Sequence, residues 1–308
     1  MLGPVLLAAA RSETIKRAVA AAPVTRPVVN RFVAGEELEP CLAAVRPLTA
    51  RGLDLTFDHL GEDITDRAEA LRNRDAYLAL AEALAGMGLG PRAEMSVKLS
   101  AFGQALPGGD DLAYENVLPV VEAAAAAGTT VSLDAEDHTT IDSTLGILGK
   151  LRERFPQTGA VVQSYLFRTE DDCHALAGEG SRVRLVKGAY NEPADVAFQD
   201  KREVDLAYVR CLKVLMAGKG YPMVGSHDPR MVAIAQELAH RAGRKPDEYE
   251  FQMLYGIRQD EQYRLVGEGH RVRAYVPYGS DWYGYFMRRL AERPANLAFF
   301  LRSLATRG

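Results

Sequence analysis

The chain has 308 residues, 47% hydrophobic and 25% charged, which suffices for one large core or two small ones. A formal charge of −4, with Arg and Lys scattered and no polybasic block, argues against a nucleic-acid partner. Cys41, Cys173 and Cys211 stand far apart without metal spacing, so reduced, structural thiols in the cytoplasm are expected, and no metal site.

Met1 to Ala10 is a short apolar run ended by Arg11, without a basic leader, so no secretory signal is expected. No stretch reaches the roughly 20 apolar residues that span a bilayer, and peripheral contact with the inner face of a membrane stays open. Across residues 1–50 apolar side chains recur at helical spacing, with Pro23, Pro27, Pro40 and Pro47 breaking the segment into short pieces. This predicts an N-terminal helical arm outside a main domain that spans 51–308.

From Leu53 onward short apolar runs alternate with longer helical stretches rich in Ala, Leu and Glu, the pattern of βα repetition around a parallel sheet. Strands are expected over Leu53–Asp58, Met95–Leu99, Thr130–Asp134, Ala160–Tyr165, Val183–Lys187, Met223–His227, Tyr249–Leu254 and Val272–Val276. Helices are expected after each, among them Arg67–Ala85, Tyr114–Ala127, Ile141–Arg154 and Pro229–Ala242. Eight such units over roughly 250 residues predict an α/β fold, a (βα)8 TIM barrel. An open, doubly wound sheet is the alternative; it would lack the eighth unit or place it in a second layer. The glycines of GMGLGP follow a helix and precede a strand, the reverse of a dinucleotide-binding turn, and are assigned to a loop.

A barrel strand is expected to be apolar, so polar residues at its carboxyl end call for a reason. Lys98, Asp134 with Glu136, Gln163, Arg184 with Lys187, His227, Gln252, and Tyr275 with Tyr278 all fall there. In this fold the active site is assembled from those ends. A salt bridge plugging the barrel, Lys98 to Asp134 for example, would explain any one of them, but not seven strand ends together. His227 has no second His or Cys at ligand spacing, which favours hydrogen bonding or packing over a metal. After the last strand a helix over Trp282–Glu292 puts Tyr285, Arg288, Arg289 and Glu292 on one face. Paired guanidiniums suit a carboxylate, because each offers parallel planar donors. A solvated face carrying an Arg288–Glu292 pair is the bland alternative.

Taken together, SVKLS, LDAED, QSYL, RLVKGAY, SHD, EFQMLYG, AYVPYG and YFMRRLAE resemble the proline dehydrogenase family, in order and spacing, from about Leu53 to Asn296. The resemblance implies a distorted (βα)8 barrel that binds FAD, oxidises L-proline to 1-pyrroline-5-carboxylate by hydride transfer to the flavin N5, and passes electrons to a membrane quinone. By motif position, it implies that Lys98, Arg288 and Arg289 hold the proline carboxylate, with Glu292 on the same helix face. Tyr275, Tyr285 and Leu254 would enclose the ring, Asp134 would stand at the catalytic aspartate position, and Arg184 would lie against N5. Ala135, Gln163, Lys187, Gly188, Ala189, Ser226 and His227 fall on FAD-binding positions, with Tyr190 supporting the same wall.

Many relatives have THN where this chain has Ser226-His227-Asp228, and QAYL where it has Gln163-Ser164-Tyr165-Leu166; Asp228 changes a contact expected near the nucleotide. At this length the monofunctional form is expected, without a fused aldehyde dehydrogenase. Asp134 serves either to balance Lys98 and Arg184 or as a base. Glu62, in the loop after the first strand, is expected to pair with Arg288 across the mouth and exclude water. Two rivals remain: a Schiff-base aldolase, which also uses strand-end lysines, and a non-catalytic amino-acid or flavin-binding protein.

Overall fold

A computed structural model describes residues 26–62 and 64–292, apart from the side chains of residues 27 and 290–292. Residues 1–25 of the expected arm lie outside that range, as do residues 293–308.

Eight parallel strands close into a barrel in sequence order: β1 Asp54–His59, β2 Ala93–Val97, β3 Thr130–Leu133, β4 Gly159–Gln163, β5 Arg182–Val186, β6 Tyr221–Gly225, β7 Glu250–Leu254 and β8 Val272–Tyr278. Pairing of β1 with β8, from Asp54 against Arg273 to His59 against Tyr278, seals the ring. The open-sheet alternative falls with it. A helix follows every strand, including Arg67–Met87, Gly109–Ala126, Ile141–Arg152, Lys201–Ala217 and Pro229–Arg241.

Local chemistry sets these boundaries. The side chain of Asp66 accepts from Glu69 N–H at 2.9 Å at one helix start, and Asp228 accepts from Arg230 N–H at 3.0 Å at another. Gly88, at φ 63, ends the helix Arg67–Met87 in the left-handed conformation that helix ends favour in glycine. The loop expected at GMGLGP therefore begins only after Met87. The helix expected over Tyr114–Ala127 starts five residues earlier, at Gly109, where Asp110 and Asp111 fill the first turn.

Two expectations need correction. Pro40 and Pro47 do not break the chain, because both lie inside the single helix Leu38–Ala50. Pro40 sits in the first turn, where an N–H has no intrahelical partner, and Pro47 gives up one backbone bond near the end. Nor does this helix stand outside the main fold: Cys41, Leu42, Val45 and Leu48 join the same buried cluster as the barrel strands. The short helix Arg26–Val29 packs with Phe32 and Val33 against Trp282, Tyr285 and Phe286. Trp282 Nε1–H donates to Glu36 at 2.9 Å, so the N-terminal segment steadies the last helix.

The barrel interior is also less apolar than expected. Polar side chains recur every second residue, at Asp54, Thr56 and Asp58, Glu94 and Ser96, Arg182 and Arg184, Glu250 and Gln252, and all are buried. Period two is the strand repeat, and these side chains face one another across the interior. Arg273 Nε donates to Glu250 at 2.7 Å and Arg182 Nη2 to Glu94 at 2.6 Å. Each charge in this lower layer has a partner, as burial requires.

Candidate active site

The strand ends open into a cavity of about 400 Å3. Its walls include Lys98, Asp134, Ala135, Gln163, Arg184, Lys187, Gly188, Ala189, Ser226, His227, Leu254, Tyr275, Tyr285, Arg288 and Arg289. These residues come from strands β2 to β8 or the loops after them and from the last helix, which runs Trp282–Glu292 as expected. The remaining candidate, Glu292, ends that helix, and its side chain lies outside the described ones.

Asp134 is the hub. Its Oδ1 accepts from Ser96 Oγ and from Arg184 Nη1, both at 2.7 Å, and its Oδ2 accepts from the Tyr275 hydroxyl at 2.7 Å. Lys98 Nζ stands 3.6 Å away, so the Lys98–Asp134 pair weighed as a plug is a secondary contact. Lys98 is held instead by Asp58, donating to both carboxylate oxygens at 2.8 Å. Burial opposes charge on Lys98, but Asp58, with Tyr275, Glu62 and Asp134, outweighs it and keeps the ammonium's pKa well above its ordinary value.

The sequence marks Asp58 only as the end of a strand. The usable signal was the period-two run Asp54, Thr56, Asp58, and the need of a strand-end lysine for a counter-ion. Asp205 left no comparable signal, because it sits on the helix Lys201–Ala217 and reaches the site only through folding. It accepts from Lys187 Nζ at 2.5 Å, and Asp228 accepts from the same ammonium at 3.1 Å. The aspartate that departs from the family pattern therefore caps a helix and neutralises Lys187. His227 Nε2 accepts from Leu254 N–H at 2.8 Å, a hydrogen-bonding role.

At the mouth Arg288 Nη2 donates to Glu62 Oε1 at 3.0 Å. Burial raises the Glu62 pKa, but Lys98 and Arg288 reverse this and hold it below the usual carboxylate range. The Arg289 guanidinium lies 5.1 Å from the Tyr285 ring centre. Just behind the wall, Glu136 accepts from Ser100 N–H at 3.0 Å and from Ser100 Oγ at 2.5 Å.

Burial pushes the Glu136 carboxyl up to about 7, against 4.5 unperturbed. The folded chain then binds this proton more tightly than the unfolded one. Stability from this group is lost as pH climbs from about 4.5 to about 7, on the order of 3 kcal/mol in all. Glu136→Gln is expected to flatten that part of a pH series of urea midpoints; an unchanged slope would refute it.

The proline dehydrogenase family model matches residues 41–302. The chain is 37% identical to "Proline dehydrogenase 1" of Bacillus subtilis (strain 168), over 99% of each chain. It is 41% identical to "Proline dehydrogenase" of Deinococcus radiodurans, over 90% of each. Among solved structures it resembles proline utilization A (PutA) from Bdellovibrio bacteriovorus inactivated by N-propargylglycine, at TM-score 0.79 and 25% identity. That match covers 86% of this chain and 32% of the longer PutA chain. A family match over most of the chain and full-length relatives above 30% identity lead to one conclusion: this chain belongs to the proline dehydrogenase family.

Proposed function

We propose that this chain oxidises L-proline to 1-pyrroline-5-carboxylate, the first step of proline degradation to glutamate, with FAD as cofactor and a membrane quinone as final acceptor. The observation that carries this, beside the family, is the convergence of Lys98, Arg184, Arg288 and Arg289 on one cavity. The reaction removes a hydride from the ring carbon beside nitrogen and a proton from nitrogen, leaving a C=N bond. Bound FAD would supply the two-electron acceptor.

The residues present fit that group. Arg184 Nε and Gln252 Oε1 are buried at the cavity wall with no hydrogen-bond partner among the described residues, so each can meet a polar ligand edge. Gly188, at φ 122, brings the backbone to the cavity wall where only glycine fits, since a Cβ built there would come within 2.3 Å of the Tyr165 ring packed behind it. Ala135, Gln163, Lys187, Ala189, Ser226 and His227 would complete the cofactor's surroundings.

Lys98, Arg288 and Arg289 would hold the carboxylate, and fixing it orients the ring, a large part of the barrier for a two-reactant step. The same cations disfavour a protonated amine, and the substrate must be neutral there to lose hydride. Tyr275, Tyr285 and Leu254 would flank the ring. Asp134 is best assigned to positioning, because both its oxygens already accept hydrogen bonds. The aldolase alternative loses ground for a parallel reason: a Schiff base needs a neutral amine, and Lys98 is held charged.

A lipid-soluble acceptor calls for a cytoplasmic enzyme with peripheral contact at the inner face of a membrane. No helix among the described residues is long and apolar enough to cross one. Incubation with L-proline and a soluble quinone analogue is expected to consume one quinone per 1-pyrroline-5-carboxylate formed; no turnover above the buffer rate would contradict the proposal. Glu62→Ala is expected to raise the KM for proline severalfold, since the Arg288 pair no longer closes the mouth. An unaltered KM would remove the gate.

A further inference from the structure

We infer that Glu94 is a positioning residue for the proposed reaction, gripping Arg184 from inside the barrel so that one chosen edge of its guanidinium is presented to the cavity. The inference rests on the cofactor assignment above and extends it to a residue outside the cavity wall.

Arg184 reaches the interior from β5, 3% exposed, and its three nitrogens are in different situations. Nη1 donates to Asp134 at 2.7 Å and to Ser96 Oγ at 2.8 Å. Nη2 donates to Glu94 Oε1 at 2.8 Å. Nε is buried and without a partner among the described residues. A guanidinium is planar and rigid, so fixing its two terminal nitrogens fixes the directions of the N–H groups that remain, one on Nε and one on Nη2. Glu94 and Asp134 together therefore determine which N–H groups, on Nε and Nη2, are left for a ligand.

Glu94 is itself immobilised. It is 0% exposed on β2, and Ser132 Oγ donates to its Oε1 at 2.6 Å. Its Oε2 takes Arg182 Nη2 at 2.6 Å. Arg182 also donates to Thr130 Oγ1 at 2.5 Å, which ties the arrangement to β3. A buried ion pair adds little net stability, so its plainer use is to hold geometry. The arrangement differs from a purely structural plug in one respect: it ends on a side chain of the active cavity, with a donor to spare. A donor held against the flavin stabilises the negative charge gained on reduction, without reorganising when that charge arrives.

The test uses the purified flavoprotein with Glu94→Gln and, as a control for structure alone, Arg182→Met, which removes the other ion-pair partner of Glu94 but none of Arg184's. Flavin content, midpoint potential, KM and the anaerobic rate of flavin bleaching by saturating proline are measured in each. Glu94→Gln is expected to keep flavin content and the KM for proline within about threefold. Its bleaching rate should fall tenfold or more, and reduced flavin should be destabilised about tenfold, close to 30 mV for a two-electron couple. Arg182→Met is expected to leave rate and potential near those of the unaltered protein even where its melting temperature falls, because Ser132 and Arg184 still fix Oε1, the oxygen that makes the grip. Should Glu94→Gln fail to fold, Glu94→Asp retains the charge but draws it back by one methylene, and the same losses in milder form are expected. A folded Glu94 variant with unaltered rate and potential overturns the inference, as do equal losses in Arg182→Met. Unaltered protein without flavin would instead overturn the cofactor assignment.

Discussion

Replacing Arg288 or Arg289 with alanine is expected to weaken proline binding by about 2–5 kcal/mol while flavin content stays near that of the unaltered protein. Both guanidiniums line the cavity from one face of the last helix, which Trp282 and Phe286 anchor through their contacts with the N-terminal segment. The helix therefore does not depend on the arginines for its place. Removing either deletes a planar donor pair from the site proposed for the carboxylate. The Arg288 variant carries an additional penalty, because Glu62 loses its 3.0 Å partner and, among the described residues, keeps Lys98 at 3.6 Å. Proline titrations of each variant, read beside its flavin-to-protein ratio, check this. Flavin loss in step with proline affinity would mean that the arginines serve the fold.

Substitution of Asp134 is expected to be costlier still for turnover, because one carboxylate organises three elements. It holds Arg184 from β5, Tyr275 from β8 and Ser96 from β2. With alanine there, the buried Arg184 retains, among the described residues, Glu94 alone as counter-ion, and a broken buried pair costs about 3–5 kcal/mol. Asn is the informative change, since it keeps the shape and removes the charge. If Asp134 positions its neighbours, Asp134→Asn lowers kcat by about 100-fold or more and leaves the acid limb of the pH–rate profile in place. If it were a base, that limb would vanish with the carboxylate.

Much of the fold was legible because a parallel barrel imposes a simple rhythm. Strands buried on both faces read as short apolar runs, and each is followed by a long helix with its own period. The interior charges were harder to read. Glu94, Arg182, Glu250 and Arg273 sit low in the strands, where an apolar lining was expected, and each is tolerated only because a partner lies on another strand. Such partners are distant in sequence, so neither half of a pair announces the other. The strand-end residues could be found because their position alone marks them, whereas Asp205 could not, since nothing local relates a mid-chain helix residue to Lys187. Pro40 and Pro47 misled for a different reason: proline disrupts a helix interior strongly, but a first turn tolerates it and burial of Cys41, Val45 and Leu48 offsets one lost bond.

The proposed reaction requires a flavin held where Arg184 meets Lys98, Arg288 and Arg289. The most direct measurement is the visible spectrum of the pure protein, titrated with L-proline in the absence of oxygen. A yellow protein with a band near ~450 nm that bleaches on adding proline is the predicted result. A colourless preparation, or a flavin band that proline leaves untouched, would contradict it.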